Sequence, residues 1–185
     1  MGEGQGVDFS SFVVTESPLG LIWVWAVPQG VCGLGFGDQP SAREVRRLAR
    51  YGIATPRRGP TEVLTRACQE ITEYFRGERY EFDLPLDLRG TPFQHSVWWE
   101  IHAIPYGKTV TYGEIALRVG RPRACQAVGQ AVGANPVAIV VPCHRVVGAD
   151  GKLTGYGGGV DRKAALLELE QKGLQLRMSL DQSIA

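Results

Sequence analysis

Between Phe12 and Gly37 the apolar residues of this 185-residue chain recur at every second position, and from about Thr61 onward mostly at every third or fourth. A strand shows alternate residues to one face and a helix every third or fourth, so the change in period restricts the chain to an α+β fold, sheet first and helices after. The early alternation, interrupted by Ser17-Pro18-Leu19-Gly20 and Pro28-Gln29-Gly30, reads as a small antiparallel sheet. Ser41 with Glu44 forms a capping box, which opens a basic helix to about Tyr51. Arg57-Arg58-Gly59-Pro60 reads as a loop. Thr61 then starts a helix through Phe75 with Leu64, Cys68, Ile71 and Phe75 on its inner face. Tyr80 to Leu88 alternates again and leads through Arg89-Gly90 into the second half. The expected division is a structural domain over 1–88, a second domain over 89–175, and a flexible tail over 176–185.

The second half carries more helix punctuation. Thr91 is placed to cap, Pro92 suits the first helical position and Gln94 closes the box; Val97, Ile101 and Ile104 form the buried stripe. Trp98 is assigned to the core and Trp99 to packing against the first domain. Pro105-Tyr106-Gly107 ends that helix. Thr111 with Glu114 opens a helix with Ile115, Ala116 and Val119 inward, Gly120-Arg121-Pro122 turns the chain, and a helix over Arg123–Gly133 follows. Two short helices joined by a tight turn make a helix-turn-helix unit, a form found with and without DNA. The second helix includes Ala124, Ala127, Gly129, Ala131 and Gly133. Each interior glycine costs about 1 kcal/mol, so smallness here serves close approach, either by a neighbouring helix or by nucleic acid.

Charge and cysteine usage exclude several classes. The net charge is +1, yet Tyr106–Val147 holds Lys108, Arg118, Arg121, Arg123 and Arg145 against Glu114 alone, a local +4 that suits a polyanion as well as a solvated face. No apolar run approaches the ~20 residues of a membrane span. The opening MGEGQGVDFS has neither the basic nor the apolar region of a secretory signal, so the expectation is cytoplasmic. Cys32, Cys68, Cys125 and Cys143 contain no C-x-x-C pair, which argues against a zinc knuckle or disulfide framework. Cys32, Cys68 and Cys125 read as small buried hydrophobes. His95 and His102 lie seven apart, where packing or exposure is expected, and no metal is expected.

Cys143 is in different company. Asn135-Pro136 breaks the preceding helix, Val137–Val141 reads as a short buried strand, and Pro142-Cys143-His144-Arg145-Val146-Val147 follows. A thiol with histidine beside it and arginine two residues on has the ingredients of an activated nucleophile, since cationic surroundings favour thiolate. Neighbours on a strand point apart, so His144 would act through a water or a curved backbone.

Pro142–Val147 resembles the signature of the O6-alkylguanine-DNA alkyltransferases. So do Thr91-Pro92-Phe93-Gln94 to Trp98, Pro105-Tyr106-Gly107, Val110–Ala116, Asn135-Pro136, Thr154–Gly159 and Arg162-Lys163 to Glu170, in family order from about Leu88 to Gly173. The resemblance implies a ribonuclease H-like first domain and a mainly helical second domain with a helix-turn-helix and a short active-site strand. It implies transfer of an alkyl group from O6-alkylguanine, and also O4-alkylthymine, in double-stranded DNA to Cys143, once per molecule, by a monomer without cofactor. His144, through a water, and Glu170 would relay the thiol proton. Asn135 would hold the hinge, and Tyr112 would crowd the target phosphate and donate to the guanine ring. The Val146 carbonyl would accept from the guanine amino group, with Tyr156 and Gly157 walling the pocket. Gln94, Gly113, Arg121, Arg123, Ala124, Gln126, Ala127 and Gly129 would meet DNA in the minor groove, the base flipped out. One departure is Gln126, where the family usually has an arginine that fills the gap left by that base. The resemblance leaves as rivals an alkyltransferase-like protein that binds lesions without transfer, against which Cys143 argues, and a helix-turn-helix regulator.

Overall fold

A computed structural model describes residues 9–184, side chains of 180–184 excepted; most of the opening decapeptide read above for a signal therefore lies outside the described residues. Strands β1 (Ser11–Thr15), β2 (Ile22–Val27) and β3 (Gly30–Phe36) form an antiparallel meander, and β4 (Arg57–Arg58) pairs parallel to β1. The order is β3-β2-β1-β4. Arg57 and Arg58, expected in a loop, join the edge because Arg57 N and Gly59 N donate to the Ser10 and Phe12 carbonyls.

β2 is buried along its whole length, so the sheet is covered on both faces. One face (Trp23, Trp25, Val27, Cys32) packs with Leu48 of α1 (Ala42–Ala49) and with Ile53. The other (Ile22, Val24, Ala26, Val31, Leu34) packs on α2 (Glu62–Phe75) and continues into the second half. α2 buries Leu64 and Ile71 as expected, together with Ala67, Glu70 and Tyr74; Cys68 and Phe75 are only half-buried, because the helix is rotated so that Tyr74, not Phe75, faces inward. Tyr80–Leu88 contributes one bridge, Leu86 to Val31.

The second half begins with α3 (Pro92–His102), whose capping box of Thr91 and Gln94 is fully formed. Trp98 is buried and its indole N–H donates to the Ala131 carbonyl. Trp99 is 73% exposed rather than packed: Val97, Trp98 and Ile101 take the inner face, leaving it in an open groove beside Leu84, Leu86 and Leu88. Strand β5 (Val110–Thr111) leads into α4 (Tyr112–Arg118), also opened by a complete capping box. Gly120, at φ 68°, makes the turn, and α5 (Cys125–Gly133) packs on both α3 and α4. Cys125 is exposed rather than buried, since Val128, Ala131 and Val132 occupy the inward face of α5.

Residues 137–141 do not form the expected strand. Val137 makes a single bridge to Leu34, and the chain then curls, with Val141 N donating to the Val137 carbonyl and buried Ile139 at φ 72°. The Asn135 side chain clamps this curl, accepting from Val137 N and donating to the Val141 carbonyl. Cys143–Arg145 is a 3-10 turn, β6 (Val146–Val147) pairs parallel to β5, and α6 (Val160–Ile184) closes the fold. The expected tail is therefore helical through Ile184; no proline interrupts it and a Glu168–Lys172 pair one turn apart supports it. No helix is long and apolar enough, among the described residues, to cross a membrane.

Candidate active site

Cys143 lies at the floor of a cavity of about 340 Å³ where the two halves meet. β3 supplies Leu34, Gly35 and Phe36; α1 and its cap supply Ser41, Arg43 and Arg47; and the second half supplies Val132, Gly133, Asn135, Pro136, Tyr156 and Gly157. The Phe36 and Tyr156 rings meet edge to face at 6.4 Å. Gly158 makes that wall possible, since a Cβ there would come within 2.7 Å of Phe36 and 2.8 Å of Tyr156. Arg162 stacks over Phe36 at 4.6 Å and donates to the Leu19 and Gly158 carbonyls, tying the wall to the first half.

Behind the thiol stands a buried polar network. Glu170 Oε1 meets His144 Nε2 at 2.8 Å, Arg145 Nη2 at 2.9 Å and the Tyr74 hydroxyl at 2.8 Å. Glu170 Oε2 accepts from Gly107 N at 2.8 Å and Arg145 Nε at 3.0 Å. Burial alone would push this carboxyl up, but the contacts with His144 and then Arg145 outweigh it and hold the value at about 2. Burial, joined by the charges of Arg145 and Lys163, lowers the His144 pKa against the raising contacts of Glu170, so the ring is neutral near pH 7. Against an ionised carboxylate a neutral imidazole carries its proton on Nε2, which makes Nδ1 an acceptor. Nδ1 is buried with no hydrogen-bond partner among the described residues.

Burial pushes the Cys143 thiol up, and the Asn135 carboxamide and the Lys163 charge pull it partly back. The cationic influence expected from Arg145 does not reach it as a free charge, because Arg145 is paired with Glu170 and donates to the Ile104 carbonyl. It also adds nothing to the basic surface, which on the helix-turn-helix rests on the exposed Arg118, Arg121 and Arg123. Cys32, by contrast, is pushed by burial to about 12 and is inert.

The structure brings most sequence-derived candidates into three groups. Cys143, Asn135, Tyr156 and Gly157 share the cavity, and His144 and Glu170 lie behind it. Tyr112, in the first turn of α4, has its ring 3.9 Å from where a Cβ on Gly129 would stand and 6.0 Å from Lys163 Nζ. Lys163 in turn donates to the Val146 carbonyl at 2.6 Å and the Thr154 carbonyl at 2.8 Å. Val146 O thus already accepts one bond, with its second lone pair left for a ligand. Arg121, Arg123, Gln126 and Ala127 are exposed and Ala124, Gly129 and Gly113 half-buried around the helix-turn-helix. Gln94 stays apart, its carboxamide accepting from Thr91 N in the capping box. Nothing local in the sequence marks Lys163 or Tyr74, since Tyr74 lies off the expected inner face of α2 and a single lysine after a glycine-rich stretch is ordinary.

A thiol presented in a cavity, backed by a histidine–carboxylate pair and flanked by a helix-turn-helix, defines a nucleophilic-cysteine protein with a surface suited to nucleic acid. Residues 92–172 match the family model described as 6-O-methylguanine DNA methyltransferase, DNA binding domain, and residues 12–88 match its ribonuclease-like domain. The chain belongs to the 6-O-methylguanine DNA methyltransferase family. It is 42% identical over 162 residues to a methylated-DNA–protein-cysteine methyltransferase of Methanosarcina barkeri, covering 88% of this chain and 98% of that protein. A Mycobacterium tuberculosis protein of the same name is 62% identical over 105 residues, 57% of this chain and 64% of the relative, so that match spans less than two thirds of the relative's length. The fold is similar to the crystal structure of Mycobacterium tuberculosis O6-methylguanine methyltransferase, with TM-score 0.76, 44% identity and coverage of 89% and 94%. A structure of the Mycobacterium tuberculosis OGT in complex with DNA gives TM-score 0.74 at 44% identity, covering 88% of this chain and 94% of that one.

Proposed function

We propose that this protein repairs O6-alkylguanine, and by the same chemistry O4-alkylthymine, in double-stranded DNA by moving the alkyl group irreversibly to Cys143. The observation that carries the reading is the placement of the Cys143 thiol on a cavity floor with the His144–Glu170 pair behind it. His144 Nδ1 takes the thiol proton through a water, and the thiolate attacks the alkyl carbon. The new S–C bond forms as the C–O6 bond breaks; the guanine anion takes up one proton at its ring through Tyr112, and His144 releases the thiol's proton to water, so that one proton is lost and one gained. The product is a thioether and a normal base. Water does not reverse it, so each molecule acts once.

An O6 substituent cannot reach the cavity from inside a stacked duplex, so the base must be everted. The small-residue surface of α5, with Ala127 exposed and open space at Gly133, suits the narrow minor groove. Arg121 and Arg123 supply phosphate contacts, Asn135 holds the hinge, and Val146 O with Tyr156 and Gly157 receives the base. The protein acts as a monomer without cofactor, in two domains divided near residues 88–89. Its four free cysteines fit a reducing cytoplasm.

The test is intact-mass analysis after mixing the protein with a duplex containing O6-methylguanine. One methyl appears on the Cys143 peptide, and Cys143→Ser abolishes the gain while duplex binding persists. Binding without an adduct in the wild type would favour a lesion-binding or regulatory protein instead, and repeated turnover a hydrolase.

A further inference from the structure

We propose that Tyr74, contributed by the first domain, is a positioning residue for the proton relay, its hydroxyl holding Glu170 and thereby setting the basicity of His144. The proposal rests on the alkyl-transfer reading of Cys143. α2 delivers a fully buried Tyr74 whose hydroxyl lies 2.8 Å from Glu170 Oε1, a residue 96 positions away. That oxygen is the one His144 Nε2 meets at 2.8 Å, so phenol and imidazole share one acceptor. The ring itself is held by edge contacts to Phe75 and Tyr106 and a tilted contact to Phe82, with centroids 5.3–6.0 Å apart. Packing therefore does not need the hydroxyl.

A donor on Oε1 withdraws negative charge from the oxygen that would stabilise an imidazolium. The charged and titratable neighbours enter this balance, among them Tyr156, buried between the charges of Glu170 and Cys143. Arg145, from the 3-10 turn, donates to both carboxylate oxygens and lies 5.7 Å over the Tyr106 ring. Lys163 from α6 opposes a charge on His144, Cys143 adjoins it, and Gly107 N fixes the other oxygen. Tyr80 lies beyond Tyr106, its ring centroid 4.8 Å away. Among the described residues Tyr74 is the member of this set that comes from α2, and its O–H bond ties the first domain directly to Glu170.

The experiment compares wild type, Tyr74→Phe and Tyr106→Phe as full chains. Single-turnover methyl transfer from an O6-methylguanine duplex is followed across pH, and the His144 ring nitrogens are titrated by NMR in the free protein. For Tyr74→Phe the acid limb of the rate and the His144 titration move up together by about half a unit, making transfer roughly threefold slower at the acid end. Its high-pH rate and duplex dissociation constant stay at wild-type values. Tyr106→Phe, whose hydroxyl has no partner among the described residues, behaves as wild type. Coincident pH curves, a downward shift, a uniform loss of rate, or an equal shift in Tyr106→Phe would overturn the proposal. A wild type that transfers nothing would refute the alkyl-transfer reading, and the His144 titration would still decide whether Tyr74 sets its basicity.

Discussion

Glu170 is fully buried yet ionised, and the cost of that burial is offset only because six hydrogen-bonding contacts, one each from Tyr74, His144 and Gly107 and three from Arg145, converge on its two oxygens. The same contacts make it a stability element with a defined pH range. Its folded value of about 2 lies below the ordinary 4.5, so the stabilisation is complete above 4.5 and is lost as pH falls towards 2. Two and a half units correspond to about 3 kcal/mol. Urea unfolding of the wild type at neutral pH, at about 4.5 and at about 2 should show a loss of that order between the last two, and Glu170→Gln should be unstable throughout and lack this step. His144 and Cys143 follow the same logic: burial keeps the thiol protonated and the imidazole neutral, the pair of states from which a proton can move on demand.

Helix starts in this chain are written locally. Ser41, Thr91 and Thr111 each accept from the backbone three residues on while Glu44, Gln94 and Glu114 reach back. On the proposed alkyl transfer Thr111 matters most, because its helix places Tyr112 beside Gly129 and Lys163. Thr111→Ala should cost about 1 kcal/mol in thermal or urea unfolding and slow methyl transfer more than the conservative Thr111→Ser. α5 is built differently. It has no side-chain cap, Cys125, Gln126 and Ala127 are exposed, and its inner face is held by Val128, Ala131 and Val132. Gln126 therefore faces outward with neither charge nor a planar fork for phosphate or stacked bases. Gln126→Arg should bind duplex DNA severalfold more tightly in a titration, with a steeper loss of affinity as salt rises. Equal affinity would mean that Arg121 or Arg123 already supplies the contact.

One apolar core runs through the whole molecule, from Ile22 and Leu34 in the sheet through Tyr74 and Trp98 to Val137, Cys143 and Leu166. The Leu34–Val137 bridge and the Arg162 clamp on Leu19 and Phe36 join the halves at the mouth of the reactive cavity. The two proposed domains therefore share one continuous core and are expected to unfold together. Leu34→Ala should cost about 2–5 kcal/mol and slow transfer, and unfolding should remain a single transition in both fluorescence and circular dichroism. Two separated transitions would show that the halves fold independently.

Read alone, the sequence was sufficient for the starts of the capped helices, the antiparallel meander and the helix-turn-helix, and it singled out Cys143 as the candidate nucleophile, because periodicity, caps and the Pro142–Val147 motif are all local signals. It misassigned what depends on packing. Val137–Val141 reads as a strand but is curled by the Asn135 clamp, Trp99 and Cys125 read as packed but lie outside, and the final residues read as a tail but extend α6. Tertiary structure alone decided which donors reach Glu170, that Arg145 is spent on that ion pair, and that Lys163 and Tyr74 enter the site. Those contacts join residues tens of positions apart, and a hydrogen bond between them is set by how whole elements dock, which no local pattern of residues encodes.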